Sequence, residues 1–155
     1  MKFAFIFALL VSTQFAHSET IREERIKKEM IARVDLLSEK INLTKTHLKK
    51  KKVAEACAQI DEVFNLYPEH VKDIGSYMNL FKSKINKLKD ESLAELITFH
   101  GLSNTCNRGS DAEYVDIKKF QKSLSKSLLK LERQKLVIEN NKTNQDNSFY
   151  YQYDI

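Results

Sequence analysis

The chain has 155 residues, with 26 Lys and Arg against 21 Asp and Glu, for a net charge of +5. Three Gly, one Pro and no Trp exclude the turn-rich β-sandwiches and barrels and favour long helices. Basic and acidic residues are interleaved along most of the chain, which describes a solvated surface and argues against nucleic acid as a partner.

Residues 1–18 read as a signal peptide. Lys2 gives a short positive start, and residues 3–11 form an uninterrupted apolar run, too short for a membrane span. Ala16 and Ser18 supply the small residues of a cleavage site. The expectation is an exported protein, bacterial periplasmic or extracellular. It divides into a helical domain over 19–139 and a flexible polar and aromatic tail over 140–155. Export makes a disulfide between the two cysteines, Cys57 and Cys106, the expected state.

Residues 20–48 read as one amphipathic helix. Ile26, Met30, Val34, Leu37, Ile41 and Leu48 follow at steps of three and four, with Thr44 or Lys45 in the gap. Lys49, Lys50, Lys51 and Lys52 mark a turn, because a helix running on to residue 67 would be long for this domain. A second helix over 53–67 turns Val53, Ala56, Cys57, Ile60, Val63, Phe64 and Tyr67 inward, and Pro68 closes it. A third over 69–89 carries Val71, Ile74, Met78, Phe81, Ile85 and Leu88.

Asp90 or Ser92 caps a short fourth helix, with Glu95 completing a capping box and Gly101 as the stop. Leu93, Leu96 and Ile97 are its inward side chains. Residues 102–109 form a loop. Ser110, with Glu113 three residues on, starts the last helix, whose seam is Ile117, Phe120, Leu124, Leu128, Leu131 and Ile138. The fold expected is an all-α, antiparallel bundle of four to five helices with one disulfide.

Residues 37–70 resemble a tetratricopeptide-repeat helical hairpin through Leu43, Ala56, Ile60, Val63 and Pro68. Lys51 stands where that turn usually has Gly, and Gly75 and Ser76 fall where a second repeat needs a large and a small residue. The resemblance implies an antiparallel hairpin and, through the family, protein or peptide binding.

The sequence carries no Gly-rich phosphate loop, no HExxH, no GxSxG and no CxxC, so neither a catalytic site nor a metal or cofactor site is expected. His47, His70 and His100 read as helix-end residues, favourable there through the helix dipole. Glu91 and Glu95, one turn apart, read as a charged surface. Two regions read as contact surfaces. Lys49, Lys50, Lys51 and Lys52 would meet an acidic partner or an anionic membrane surface. Phe149, Tyr150, Tyr151 and Tyr153 would cover the helical core or serve as a recognition segment. Asn42 and Asn141 begin N-x-[ST] triplets, with the second the more accessible acceptor. Together these features describe a non-enzymatic exported adaptor that binds another protein or an anionic surface. A carrier of a small apolar ligand and a periplasmic holdase-like chaperone are the alternatives.

Overall fold

The structure, a computed structural model, describes residues 2–80, 86–108 and 115–140, and side chains over 21–76, 87–108 and 115–140. The described residues are helical apart from short connections: α1 (Lys2–Lys49), α2 (Val53–Leu80), α3 (Asn86–Asn107) and α4 (Ile117–Asn140). Contacts fix an up-down-up-down bundle. Arg33 of α1 reaches Glu69 and Asp73 of α2, while Lys40 reaches Glu62. Numbers rise on one helix as they fall on the other, so the pair is antiparallel. Asp61 meets Ser103 across α2 and α3, and Asp35 meets Lys135 across α1 and α4.

The core follows one rule on every helix. Met30, Val34, Leu37, Ile41, Thr44 and Leu48 are buried on α1, at alternating steps of four and three. Ala56, Ile60, Val63, Tyr67, His70 and Ile74 repeat that spacing on α2, and Phe120, Leu124, Ser127, Leu131, Gln134 and Ile138 repeat it on α4. This is the heptad seam of packed near-parallel helices. The all-α bundle expected from the sequence is the one observed, with four helices.

The turn expected at residues 49–52 is present, and its geometry is specific. Lys51 lies in the left-handed region, with φ of 56°. The Lys52 N–H donates to the His47 carbonyl at 2.9 Å, and the Lys51 N–H donates to that of Leu48 at 3.1 Å. These two bonds are a Schellman motif, which satisfies carbonyls that the end of α1 would otherwise leave unpaired.

Several boundaries differ from the expectation, beginning with α1, which starts at Lys2 and not at residue 20. Pro68 does not end a helix: it lies inside α2, on the exposed side. Its ring removes one backbone donor, but Tyr67, His70 and Ile74 remain in register with the core, and their burial holds the helix through it. Gly101 does not stop α3 either. The helix runs on to Asn107, and the Thr98 and Thr105 hydroxyls donate to the carbonyls of Ala94 and Gly101. The last turn is held onto α2 by Ser103 Oγ donating to Asp61 Oδ1 at 2.5 Å and by the disulfide.

Cys57 and Cys106 are joined, with Cα atoms 5.6 Å apart and a sequence separation of 49. Because α3 is longer than expected, the bond links helix to helix; Cys106 is not in a loop. A further difference is the start of α4 at Ile117, where Asp116 Oδ1 accepts the Lys119 N–H at 3.0 Å as an N-cap. The capping box expected at Ser110 and Glu113 lies outside the described residues, as do Phe81 and Ile85.

Candidate interaction site at the α3–α4 seam

Along α3 the sequence expectation about facing fails for two of its three residues. Leu93 and Ile97, expected inside, are 38% and 71% exposed, and Leu96 is half-buried. The buried residues are Leu88, Ser92, Glu95, Phe99 and Leu102. Ser92 and Glu95 are therefore not a capping box. They sit in the middle of α3 on its inner face, because α3 begins two turns earlier than expected.

Their burial is offset by bonds to the neighbouring helices. Ser127 Oγ of α4 donates to Glu95 Oε2, and Lys130 Nζ donates to Oε1 of the same carboxylate. Glu95 is 2% exposed, whereas the Lys130 side chain is 37% exposed. The ammonium thus reaches inward from the surface to neutralise a buried carboxylate. Gln134 Nε2 of α4 donates to Ser92 Oγ at 3.0 Å, and Gln134 Oε1 lies 3.0 Å from His70 Nε2 of α2. With the amide nitrogen engaged on Ser92, its oxygen is left to accept, which assigns the proton to His70 Nε2.

Two polar atoms next to this network lack a partner among the described residues, His70 Nδ1 and Tyr67 Oη. Burial pushes the His70 imidazole below its ordinary value, and burial near Glu95 pushes the Tyr67 phenol above its own. Both groups are thereby held neutral. Tyr67 also stacks on Phe99, with ring centroids 5.2 Å apart.

Outside this network the seam is open. Of the four neighbouring helix pairs, α3 and α4 touch least. A groove of about 330 Å³ runs between Thr98, Gly101 and Thr105 on α3 and Lys119, Phe120 and Ser123 on α4. A smaller one of about 120 Å³ lies further along the seam, beside Leu88, Glu91, Arg133 and Val137. A Cβ built on Gly101 meets nothing within 4 Å, so among the described residues nothing fills the larger groove at that point. Arg133 donates to Glu91 across the seam. The two glutamates one turn apart are thus each held by a separate cation of α4.

The wall of the seam on α4 is cationic. From Ile117 to Asn140 the helix carries seven Lys and Arg against two Glu. Three of these cations are tied to acids of other helices: Lys130, Arg133 and Lys135. Lys118, Lys119, Lys122 and Lys126 are exposed and pair with no acid among the described residues. Lys122, Lys126, Leu129, Arg133 and Leu136 succeed one another at steps of four and three, so they share the outer face of α4. Leu129 and Leu136 on that face are 67% and 57% exposed.

Lys49, Lys50, Lys51 and Lys52 are exposed at the α1–α2 turn; Lys52 pairs with Glu55 at 3.4 Å. In an up-down-up-down bundle this turn lies at the same end as the start of α4. The structure thus joins the expected lysine run to a second basic cluster that sequence reading did not single out. Phe149, Tyr150, Tyr151 and Tyr153 lie outside the described residues. His100 is exposed against the Phe64 ring, with centroids 5.4 Å apart, and His47 is half-buried near the end of α1. Among the described residues, no three His, Cys, Asp or Glu cluster to hold a metal ion, and no helix is long and apolar enough to cross a membrane.

Comparison with protein-family models, with curated proteins and with solved structures finds no match to this chain.

Proposed function

We propose that this protein is exported and acts as a non-enzymatic adaptor that binds another protein through the α3–α4 seam. The observation that carries the reading is the outer face of α4. Its inner face is already committed to the core, yet the outer one presents Leu129 and Leu136 to solvent beside lysines that pair with no acid among the described residues. Large exposed leucines among lysines are the composition of a contact surface. Export is supported by the signal-like residues 1–18 and by the Cys57–Cys106 bond, a cross-link that persists in oxidising compartments. The apolar-carrier reading is less favoured, because the middle of the bundle is occupied by Ser92, Glu95, His70 and Gln134. Those residues leave a polar interior where an apolar ligand would need a dry one.

The test is a pull-down from the native compartment with the intact chain and with Leu129→Ser/Leu136→Ser. Both positions are exposed, so folding should survive, as checked by circular dichroism. A partner retained by the intact chain and lost by the variant supports the adaptor reading. Recovery of the same partners by both places the contact elsewhere and overturns the role given to the seam.

A further inference from the structure

The occupant of the seam can be specified by its chemistry. We infer that the groove between α3 and α4 receives an acidic, amphipathic helix from a partner protein. This rests on the adaptor reading and adds the class of partner.

The first observation is shape. The groove lies between two antiparallel helices that touch less than any other neighbours in the bundle, and it holds about 330 Å³ beside Phe120. A concave channel between two helices is a setting in which a third lays down its apolar face. Phe120 and Leu102 form part of its lining, both already buried in the core.

The second is charge. Lys119 lines the channel itself, and Lys122 and Lys126 continue along the exposed outer face of α4. The lysine run at the α1–α2 turn adds to the potential at the same end. The one acid at the channel, Asp116, has Oδ1 engaged in capping α4. Glu or Asp along one side of an incoming helix would meet this row, which pairs with no acid among the described residues.

The third observation separates a helix from an anionic membrane. A flat surface engages the convex face of α4 and leaves the channel empty, whereas a helix needs the channel. Gly101 distinguishes the two, because its Cβ position opens into free space. A Cβ there meets no atom within 4 Å, so a larger side chain has room to enter the channel, and replacing a mid-helix glycine favours the helix.

The experiment uses the intact chain, Gly101→Leu, and Lys119→Glu/Lys122→Glu/Lys126→Glu. The probes are a fluorescent three-heptad peptide of Leu, Ala and Glu, the same peptide with Lys replacing Glu, and vesicles of phosphatidylcholine with phosphatidylglycerol. The expected result is binding of the Glu peptide, read by anisotropy, at least tenfold weaker for each variant and weakened by salt, with none for the Lys peptide. Equal binding of the Glu peptide to Gly101→Leu overturns the proposal. Vesicle binding that is insensitive to Gly101→Leu, without peptide binding, overturns it in favour of a membrane. Concentration-dependent dimers broken by Gly101→Leu, without peptide binding, overturn it in favour of a second copy. If the Glu peptide fails while a photo-crosslinker at Leu129 still captures a protein in the native compartment, the acidic-helix class falls and the adaptor reading stands. Failure of both removes both.

Discussion

The α1–α2 and α3–α4 seams use the same heptad spacing to opposite ends. Between α1 and α2 the interior is mostly aliphatic and the charges stay outside, where Arg33 and Lys40 bridge to Asp73, Glu69 and Glu62. Between α3 and α4 the arrangement is inverted. A carboxylate, an amide and two hydroxyls are inside, while Ile97, Leu129 and Leu136 are outside. The lesson is that the period of the pattern fixes which positions are inside, and the chemistry placed there decides how tightly the seam closes. A seam packed with apolar side chains gains from every methylene buried. A seam packed with polar groups at best recovers what their desolvation cost. That difference leaves the second seam slack and its outer face free to bind.

The disulfide bears on this contrast most strongly. It ties α2 to α3 at the end of the bundle where the larger groove lies. Closing a loop of 49 residues contributes about 4 kcal/mol in the chain-entropy account. Cys57→Ala/Cys106→Ala should lower stability by about that amount in urea unfolding, with α3 the first helix to lose amide protection. A loss below about 1 kcal/mol would mean that α3 is held by its own packing and that the seam is not slack.

Next in size is a matched pair of truncations. Leu37→Ala removes a fully buried side chain from the sealed side and should cost about 3 kcal/mol. Ser92→Ala removes the acceptor of Gln134 Nε2 and should cost about 1–2 kcal/mol, the penalty of a buried donor left unpaired. Equal costs in thermal or urea unfolding would erase the distinction between the two sides.

Glu95 sharpens it further. Glu95→Gln withdraws charge from a carboxylate held by Ser127 and Lys130. Lys130 is near enough to the surface to turn back to water, so the loss should be modest, about 1–2 kcal/mol. The apolar replacement Glu95→Leu/Ser127→Ala should be neutral or stabilising, because it removes the desolvation cost with the pair. A strong loss on that double change, in the same unfolding assay, would show that the pair holds the seam shut.

The fold was legible in the sequence wherever burial and apolar character coincided. Met30, Val34, Leu37 and Ile41 announce α1, and Ala56, Ile60, Val63 and Tyr67 announce α2. The site was hidden because the two diverge there. On α3 the apolar residues Leu93 and Ile97 drew the inner face to the wrong side, while Leu96 does border the core; Leu88, Ser92, Glu95, Phe99 and Leu102 show the true spacing once polar residues are admitted. On α4, Leu124, Leu131 and Ile138 recur every seven residues. That interval places Ser127 and Gln134 at the matching inner positions, a signal available without the structure. Pro68 and Gly101 misled for another reason: local propensity costs a few kcal/mol at most, and tertiary packing on either side outweighs it.

The smallest effect tests the polar interior without altering its shape. Burial is the main cause lowering the His70 imidazole from its ordinary value of 6.5; Arg33 lowers it further, while the Gln134 bond and Asp73 act the other way. The unfolded chain therefore takes up a proton at a higher pH than the folded one. The stability that comes from keeping His70 neutral is complete above about pH 7 and is lost as pH falls through 6.5, at no more than about 1.4 kcal/mol per pH unit. His70→Gln retains a donor for Gln134 and cannot titrate, so it should flatten the slope of urea stability between about pH 7 and 5. An unchanged slope would mean that the imidazole gains a proton freely. Its unpartnered Nδ1 would then have to reach water, and the interior beneath the α3–α4 seam would be open as well as its surface.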